Sequence, residues 1–312
     1  MQITVEFLLK TWYTGIILKI LVCGVMLMRK LEYTFKNDTL FKMLFTKHKD
    51  LLKKLVAALL GIPVQDIQQF VVRNEEMPPE ALGEKFCRLD INMMVNSQQI
   101  DLEIQVAYEG DYPERVMLYW AREFSTALPA GENYSMLPRT IIISIIDFKL
   151  FNCSEYHSFF QPLEVTRHTL LSDKMGFHFF ELKKLPKDIP EDDTLLLWLS
   201  LFNAETEEDL EKIKRLEVPE MEQAINAYHT ITASSEFREL ERLREKARHD
   251  EAQALYHAKQ EGKQEGIQEG IQKGASERSI DIAKSMIADG EPLSKIMHYT
   301  GLSLEELEKY SR

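Results

Sequence analysis

Between residues 86 and 107 two runs, Phe-Cys-Arg-Leu-Asp-Ile-Asn-Met-Met-Val and Ile-Asp-Leu-Glu-Ile-Gln-Val-Ala, alternate polar and apolar around a short turn at Asn96 to Gln99. Successive side chains of a strand point to opposite faces, so this pattern predicts a hairpin. Cys87, Leu89, Ile91, Met93 and Val95 face a core, joined by Ile100, Leu102, Ile104 and Val106. The other face carries Arg88, Asp90 and Asn92 beside Asp101, Glu103 and Gln105. Closure on Ser97-Gln98, or on a four-residue loop Asn96 to Gln99, predicts one register, with Asp90 opposite Gln105 and Asn92 opposite Glu103. Asp90 and Glu103 are then diagonal neighbours. Two carboxylates at that spacing repel unless a cation lies between them, and an oxygen-ligated divalent metal meets that need.

Elsewhere the apolar period changes. Leu40, Phe41, Leu44, Phe45, Leu52, Leu55, Val56, Leu59 and Leu60 recur at helical spacing, with Asp38 as a cap and Gly61 and Pro63 as stops. Phe70 to Val72 reads as a short strand, and a Pro/Glu-rich loop at 74 to 84 leads to the hairpin. Tyr112 to Leu128 is helical, and the β-branched run Arg139 to Ile146 suits a strand covered on both faces. A further strand is expected at Phe177 to Leu182. This order predicts an α/β sandwich with a mixed sheet.

From Asp193 onward the pattern is helical throughout. Glycines at 262, 266, 270 and 274 punctuate a charged repeat that reads either as a linker or as a helix surface open to close approach by another helix. Short helices follow at 279 to 289, 293 to 299 and 303 to 310, with Gly290 and Gly301 as stops, Pro292 in a first turn, and a capping box at Ser303 and Glu306. The expected divisions are an apolar extension at 1–28, an α/β domain at 29–190, a helical region at 191–260, the glycine repeat at 261–278 and a helical tail at 279–312. The extension is short for a membrane span and interrupted by Lys19. We read it as lying upstream of a working start at Met26 or Met28, with a weak membrane anchor as the alternative.

Charge sharpens this division. The formal net charge is −12, but residues 191–312 hold 27 acidic against 16 basic residues, while 29–150 hold 17 against 15. The acidity therefore belongs to the C-terminal third, and composition alone does not predict nucleic-acid binding. Three well-separated cysteines, Cys23, Cys87 and Cys153, point to a reducing compartment such as the cytoplasm, without a disulfide framework or zinc site. His48, His157, His168 and His178 lack metal-ligand spacing, and Trp120 and Tyr108 read as core.

These segments together resemble the PD-(D/E)XK nuclease superfamily, and within it the Rpn family of recombination-promoting nucleases, also described as transposases. The resemblance is carried by Asp38-Thr-Leu-Phe-Lys-Met-Leu-Phe, Leu89-Asp-Ile, Asp101-Leu-Glu-Ile-Gln, the helix around Arg115 to Tyr119, the entry to the strand at Tyr134 to Ile146, Phe180-Glu-Leu-Lys-Lys, and the glycine repeat with its helical tail. It implies a metal-dependent DNA endonuclease using Mg²⁺ or another hard divalent cation. Asp90 and Glu103 would be ligands, with the Ile104 carbonyl as a third oxygen. Gln105 stands where the superfamily usually has lysine. A neutral amide orients water by hydrogen bonds but cannot stabilise hydroxide by charge, so more of the activation falls on the metal.

Lys42, one turn after Asp38, is an auxiliary cation, and Asp38 and Arg115 are further auxiliary candidates, each with a structural alternative as helix cap or sheet support. A second acid-x-lysine, Glu181-Leu-Lys183 after Asp173, ranks below the hairpin because nothing pairs its acids on adjacent strands. The terminal helices are expected to pack or self-associate, since the last begins Ser-Leu-Glu-Glu-Leu-Glu, with acids where a DNA-reading helix would meet phosphate. The rival reading is a nuclease-fold protein without cleavage activity, acting as a binding or regulatory module through the acidic helices.

Overall fold

The computed structural model describes residues 29–73, 91–108, 110–128, 130–188 and 190–310. The extension 1–28 and the residues Cys87, Arg88, Leu89 and Asp90 lie outside the described residues. Helices α1 (Asp38–Lys47) and α2 (Lys49–Leu60) lead into strand β1 (Phe70–Val72) and the hairpin β2 (Ile91–Val95) and β3 (Gln98–Gln105). Helix α3 (Tyr112–Thr126) is followed by β4 (Thr140–Ile146), β5 (His157–Phe160) and β6 (Met175–Glu181). Helices α4 (Thr194–Asn203), α5 (Glu207–Lys214), α6 (Pro219–Ala233), α7 (Ser235–Ala288), α8 (Leu293–Thr300) and α9 (Leu304–Glu308) complete the chain.

Among the described residues the strands form one mixed sheet in the order β1-β2-β3-β4-β6-β5. The β3–β4 and β4–β6 pairs are parallel and the others antiparallel. All seven residues of β4, Thr-Ile-Ile-Ile-Ser-Ile-Ile, are buried, as a β-branched run at the centre of a parallel sheet should be. The pleat sends Ile100, Leu102, Ile104, Ile141, Ile143 and Ile145 into a large core with α1, α2, α4, α5 and α6. On the opposite face Ile142, Ile146, Phe177 and Phe179 meet Tyr112 and Val116 of α3. Because α4 to α6 join the sheet's own core, the expected domain boundary near residue 190 is not a break in packing.

The chain divides into two compact units, one ending at Leu240 and one spanning Glu241–Arg312. In the second, the end of α7 packs with α8 and α9 around Ala283, Ile296 and Leu307. Gly290 and Gly301 close helices with positive φ, and the capping box at Ser303 and Glu306 forms as expected. Pro292 is an N-cap residue and not a first-turn residue. The four repeat glycines lie inside α7, so they form helix and not a linker, and the expected separate helix at 279–289 is the end of that same helix. Among the described residues no helix is long and apolar enough to cross a membrane.

The hairpin register differs from expectation. The turn is Asn96-Ser97, with φ of 48° and 63°, which are the two left-handed residues a type I′ turn requires. Val95 therefore pairs with Gln98, and Asn92 lies opposite Asp101, not Glu103. A two-residue shift leaves every side chain on its expected face, so alternation alone could not detect it. Asn96 selects this register because its side chain is committed: Oδ1 accepts from Gln68 N at 2.9 Å and Gln69 N at 3.1 Å, and Nδ2 donates to the Asp66 carbonyl at 2.7 Å. Val106 and Tyr108, expected in the core, are exposed at 49% and 56% because the strand stops at Gln105. Asn37, not Asp38, caps α1: its extended backbone brings Oδ1 to 2.9 Å from Leu40 N, leaving Asp38 in the first turn.

Strand β5 was not anticipated, and aromatic cross-strand contacts explain it. His157 pairs with Phe180 and Phe159 with His178 in the ladder, their rings stacked with centroids 4.3 and 4.2 Å apart. His157 Nε2 and His178 Nδ1 share a hydrogen bond at 3.0 Å. Burial, then the neighbouring His157 and Arg139, lowers the pKa of His178 from 6.5 to about 4.

Two predictions follow from these contacts. Ser97→Gly, which relieves a left-handed side-chain residue, should stabilise the fold by about 1 kcal/mol in urea melts, whereas Asn96→Ala should destabilise it. Equal midpoints for both variants and the wild type would refute the turn assignment. Above pH 6.5 His178 is neutral in folded and unfolded chains alike. As pH falls from 6.5 towards 4 only the unfolded chain takes the proton, so stability drops by about 3 kcal/mol and then levels off. His178→Phe should remove most of that pH-dependent loss in melts at pH 7 and pH 4.5; an unchanged difference would count against it.

Candidate active site

Strand β3 places Asp101, Glu103 and Gln105 on the face that α3 covers, beside Asn92 of β2 and Thr140 and Ser144 of β4. Asp101 is 0% and Glu103 5% exposed, so this face is a buried polar stripe and not a solvated surface. Helix α3 contributes the lid. Tyr112, fully buried, donates through its hydroxyl to Glu103 Oε2 at 3.5 Å. The Arg115 guanidinium lies 5.0 Å from the Tyr112 ring centroid, a cation–π contact that ties Arg115 to the same place. Tyr119 is buried and Trp120 half-buried, its indole N–H donating to the Thr140 carbonyl at 3.0 Å.

The carboxylates are crowded. Asn92 Nδ2 donates to Asp101 Oδ1 at 2.5 Å and to Glu123 Oε2 at 3.2 Å, and Gln99 Nε2 donates to the same Glu123 oxygen. Burial, followed by repulsion from Glu123 and Glu103, pushes the Asp101 carboxyl well above its ordinary range; the Asn92 bond and Arg73 act in the opposite sense. Asp101 was legible as a member of the polar face, two residues before Glu103. Glu123 was not, because its approach depends on how α3 crosses the sheet.

The expected residues are therefore distributed as follows. Glu103, Ile104 and Gln105 are consecutive on β3, with the Ile104 side chain in the larger core and Gln105 half-buried, its amide donating to the Ala107 carbonyl at 2.9 Å. Asp90 lies outside the described residues. Asp38 and Lys42 are half-buried on α1, whose apolar residues pack against the Ile104 side of the sheet. Arg115 reaches Glu103's neighbourhood through Tyr112.

The second acid-x-lysine is dispersed. Glu181 accepts from Leu150 N at 2.5 Å, from Phe151 N at 3.3 Å and from Lys184 Nζ, while Lys183 lies 3.0 Å from Asp147 Oδ1. Asp147, just after β4, also holds buried Lys36 at 2.8 Å. This Lys36–Asp147–Lys183 arrangement neutralises the carboxyl ends of the parallel strands and was missed in the sequence, where its members are scattered.

Metal chemistry can be tested against these donors. Among the described residues no three Asp, Glu, His or Cys side chains gather as a metal-holding set. Those present on β3, the Glu103 carboxylate and the Ile104 carbonyl, are hard oxygen donors in a buried place crowded with negative charge. They fit a hard divalent cation in kind; the expected further ligand, Asp90, lies outside the described residues.

No curated protein and no solved structure matches this chain. The profile of the PD-(D/E)XK nuclease family transposase matches residues 35–258, a span that begins before α1, includes the whole sheet and ends within α7. With a mixed sheet bearing an acid-x-glutamine strand beneath α3 and with most of its length matched, the chain belongs to the PD-(D/E)XK nuclease family of transposases.

Proposed function

We propose that this protein is a metal-dependent DNA endonuclease that hydrolyses phosphodiester bonds in the cytoplasm, in the context of recombination or mobile elements. The observation that carries the reading is the acid-x-glutamine of β3: Glu103 and Gln105 share one face near the carboxyl end of a strand paired in parallel with β4. Ligands of open α/β sheets bind at such strand ends. In this reading Asp90 and Glu103, with the Ile104 carbonyl, hold Mg²⁺ or a similar hard cation. When bound, such an ion polarises a phosphoryl oxygen and lowers the pKa of a coordinated water.

The chain's own residues do the rest. Tyr112 limits the rotamers of Glu103 through its hydroxyl, so the carboxylate is held in place before DNA arrives. The Gln105 carbonyl oxygen accepts a hydrogen bond from the attacking water and so aims the water's lone pair at phosphorus; as the new P–O bond forms one bridging P–O bond breaks, the water's proton passing to solvent and the leaving oxygen taking a proton from solvent. Because an amide carries no charge, it orients that water without stabilising hydroxide. Arg115, Lys42 and Asp38 are auxiliary in this scheme. Arg115 is suited to phosphate contact near Tyr112, while Lys42 and Asp38 support the site from α1.

We also propose self-association through the C-terminal helices. Supporting it, Leu255, Tyr256, Ile267 and Ile271 of α7 are exposed, and a Cβ at Gly262, Gly266, Gly270 or Gly274 would meet nothing within 4 Å.

Nicking of supercoiled plasmid by the purified chain tests the enzymatic reading. Activity should require Mg²⁺ and vanish with a chelator. Asp90→Ala and Glu103→Ala should each lose more than about a hundredfold, and Gln105→Ala about tenfold to a hundredfold. Nicking at the wild-type rate by Asp90→Ala and Glu103→Ala, or none from the wild type with any divalent ion, would leave the binding-module reading in its place. Sedimentation tests the assembly: the wild type should be oligomeric and a double Ile267→Glu, Ile271→Glu variant should shift towards monomer, whereas identical sedimentation would refute a role for this helix face.

A further inference from the structure

The polar stripe beneath α3 holds more acid than the proposed catalytic centre uses. Asp101 and Glu123 come from different elements, a strand and a helix, yet both accept from the single amide nitrogen of Asn92. That shared donor brings the two carboxylates together beneath the helix. Asp101 is fully buried, and its Oδ2 has no hydrogen-bond partner among the described residues.

A separate observation points to the same place. The hydroxyl of Thr140, also fully buried, has no hydrogen-bond partner among the described residues. Thr140 is the register neighbour of Gln99, whose amide donates to Glu123, and alternation along β4 puts it on the α3 side. It is thus a diagonal neighbour of Asp101. Four residues further along β4, Ser144, the register partner of Glu103, has an equally buried hydroxyl without a hydrogen-bond partner among the described residues. Unmet hydroxyl and carboxylate oxygens in one buried stripe cost free energy until a hydrogen-bond donor or a cation meets them, and the carboxylates add a demand for positive charge.

We propose that Asp101 and Glu123, with the Thr140 hydroxyl, hold a hard divalent cation of their own beneath α3, separate from the ion assigned to Glu103. The donors are all oxygen, and two carboxylates balance a divalent charge. A proton on Asp101 would remove one charge but leave the Thr140 oxygen unmet, whereas a cation engages both. Half-buried Glu123 gives the ion a route from solvent. The site would pin α3 to β2 and β3, and thereby fix Tyr112 over Glu103.

Mn²⁺ provides the test, counted per chain by titration with electron paramagnetic resonance on the full chain, alongside an anomalous map from a Mn²⁺-soaked crystal of the wild type. The wild type should bind two ions, Asp101→Asn and Glu123→Gln one each, and Glu103→Gln one of the other class. The map should show a peak between Asp101 and Glu123. If the wild type binds one ion that Glu123→Gln loses and Glu103→Gln keeps, this site stands and the metal role of Glu103 fails. If Asp101→Asn and Glu123→Gln bind as many ions as the wild type, or the map has no peak between these residues, the proposal is overturned and a proton alone occupies the stripe. Should either variant not fold, the wild-type map decides.

Discussion

The constraint on which this structure rests is negative charge confined between a sheet and a helix. Strand β3 is covered on both faces over its middle, so Asp101 and Glu103 cannot reach bulk water as they would on an open hairpin. Asp101 and Glu103 are held in that space and Glu123 descends from α3 to join them. Amide groups of Asn92 and Gln99 satisfy part of this charge, while burial and then repulsion from Glu123 and Glu103 hold the Asp101 pKa above its ordinary range. Such a cluster at the middle of a sheet carries an electrostatic cost that a bound positive charge would relieve.

The rest of the architecture holds that strand still. The fully buried β4 fixes β3 on one side through a parallel ladder running from Gln99 to Gln105. On the other side the turn at Asn96 fixes the antiparallel partner and anchors the approach to β1. At the carboxyl ends of the parallel strands, Asp147 is balanced by Lys36 and Lys183, so the acidity of the stripe does not extend to that edge on the opposite face. At the far edge of the sheet, His157, Phe159, His178 and Phe180 bind β5 to β6 by ring stacking and a His157–His178 hydrogen bond.

Much of this was legible in the residues. Period-two alternation identified the faces of the hairpin, the Ile-rich run identified the central strand, and the segment Asp101-Leu-Glu-Ile-Gln marked the site strand and its family. Register was not legible, because a shift of two residues leaves alternation intact; only the side-chain bonds of Asn96 distinguish the two solutions. Glu123 was hidden for a similar reason, since helical spacing says which residues share a face but not which strand that face will cross. Strand β5 has four residues and depends on ring stacking with β6, a tertiary contact that local propensity does not contain. The glycine repeat shows the converse: each glycine weakens a helix locally, yet the surrounding Glu, Gln, Lys and Ala residues keep α7 continuous.

The central claim is that the buried carboxylates of β3 require a cation. Thermal melting of the wild-type chain in Mg²⁺, set against Na⁺ at equal ionic strength with chelator present, addresses it most directly. The account predicts a higher Tm in Mg²⁺ than in Na⁺. Coincident melting curves in the two ions would contradict it.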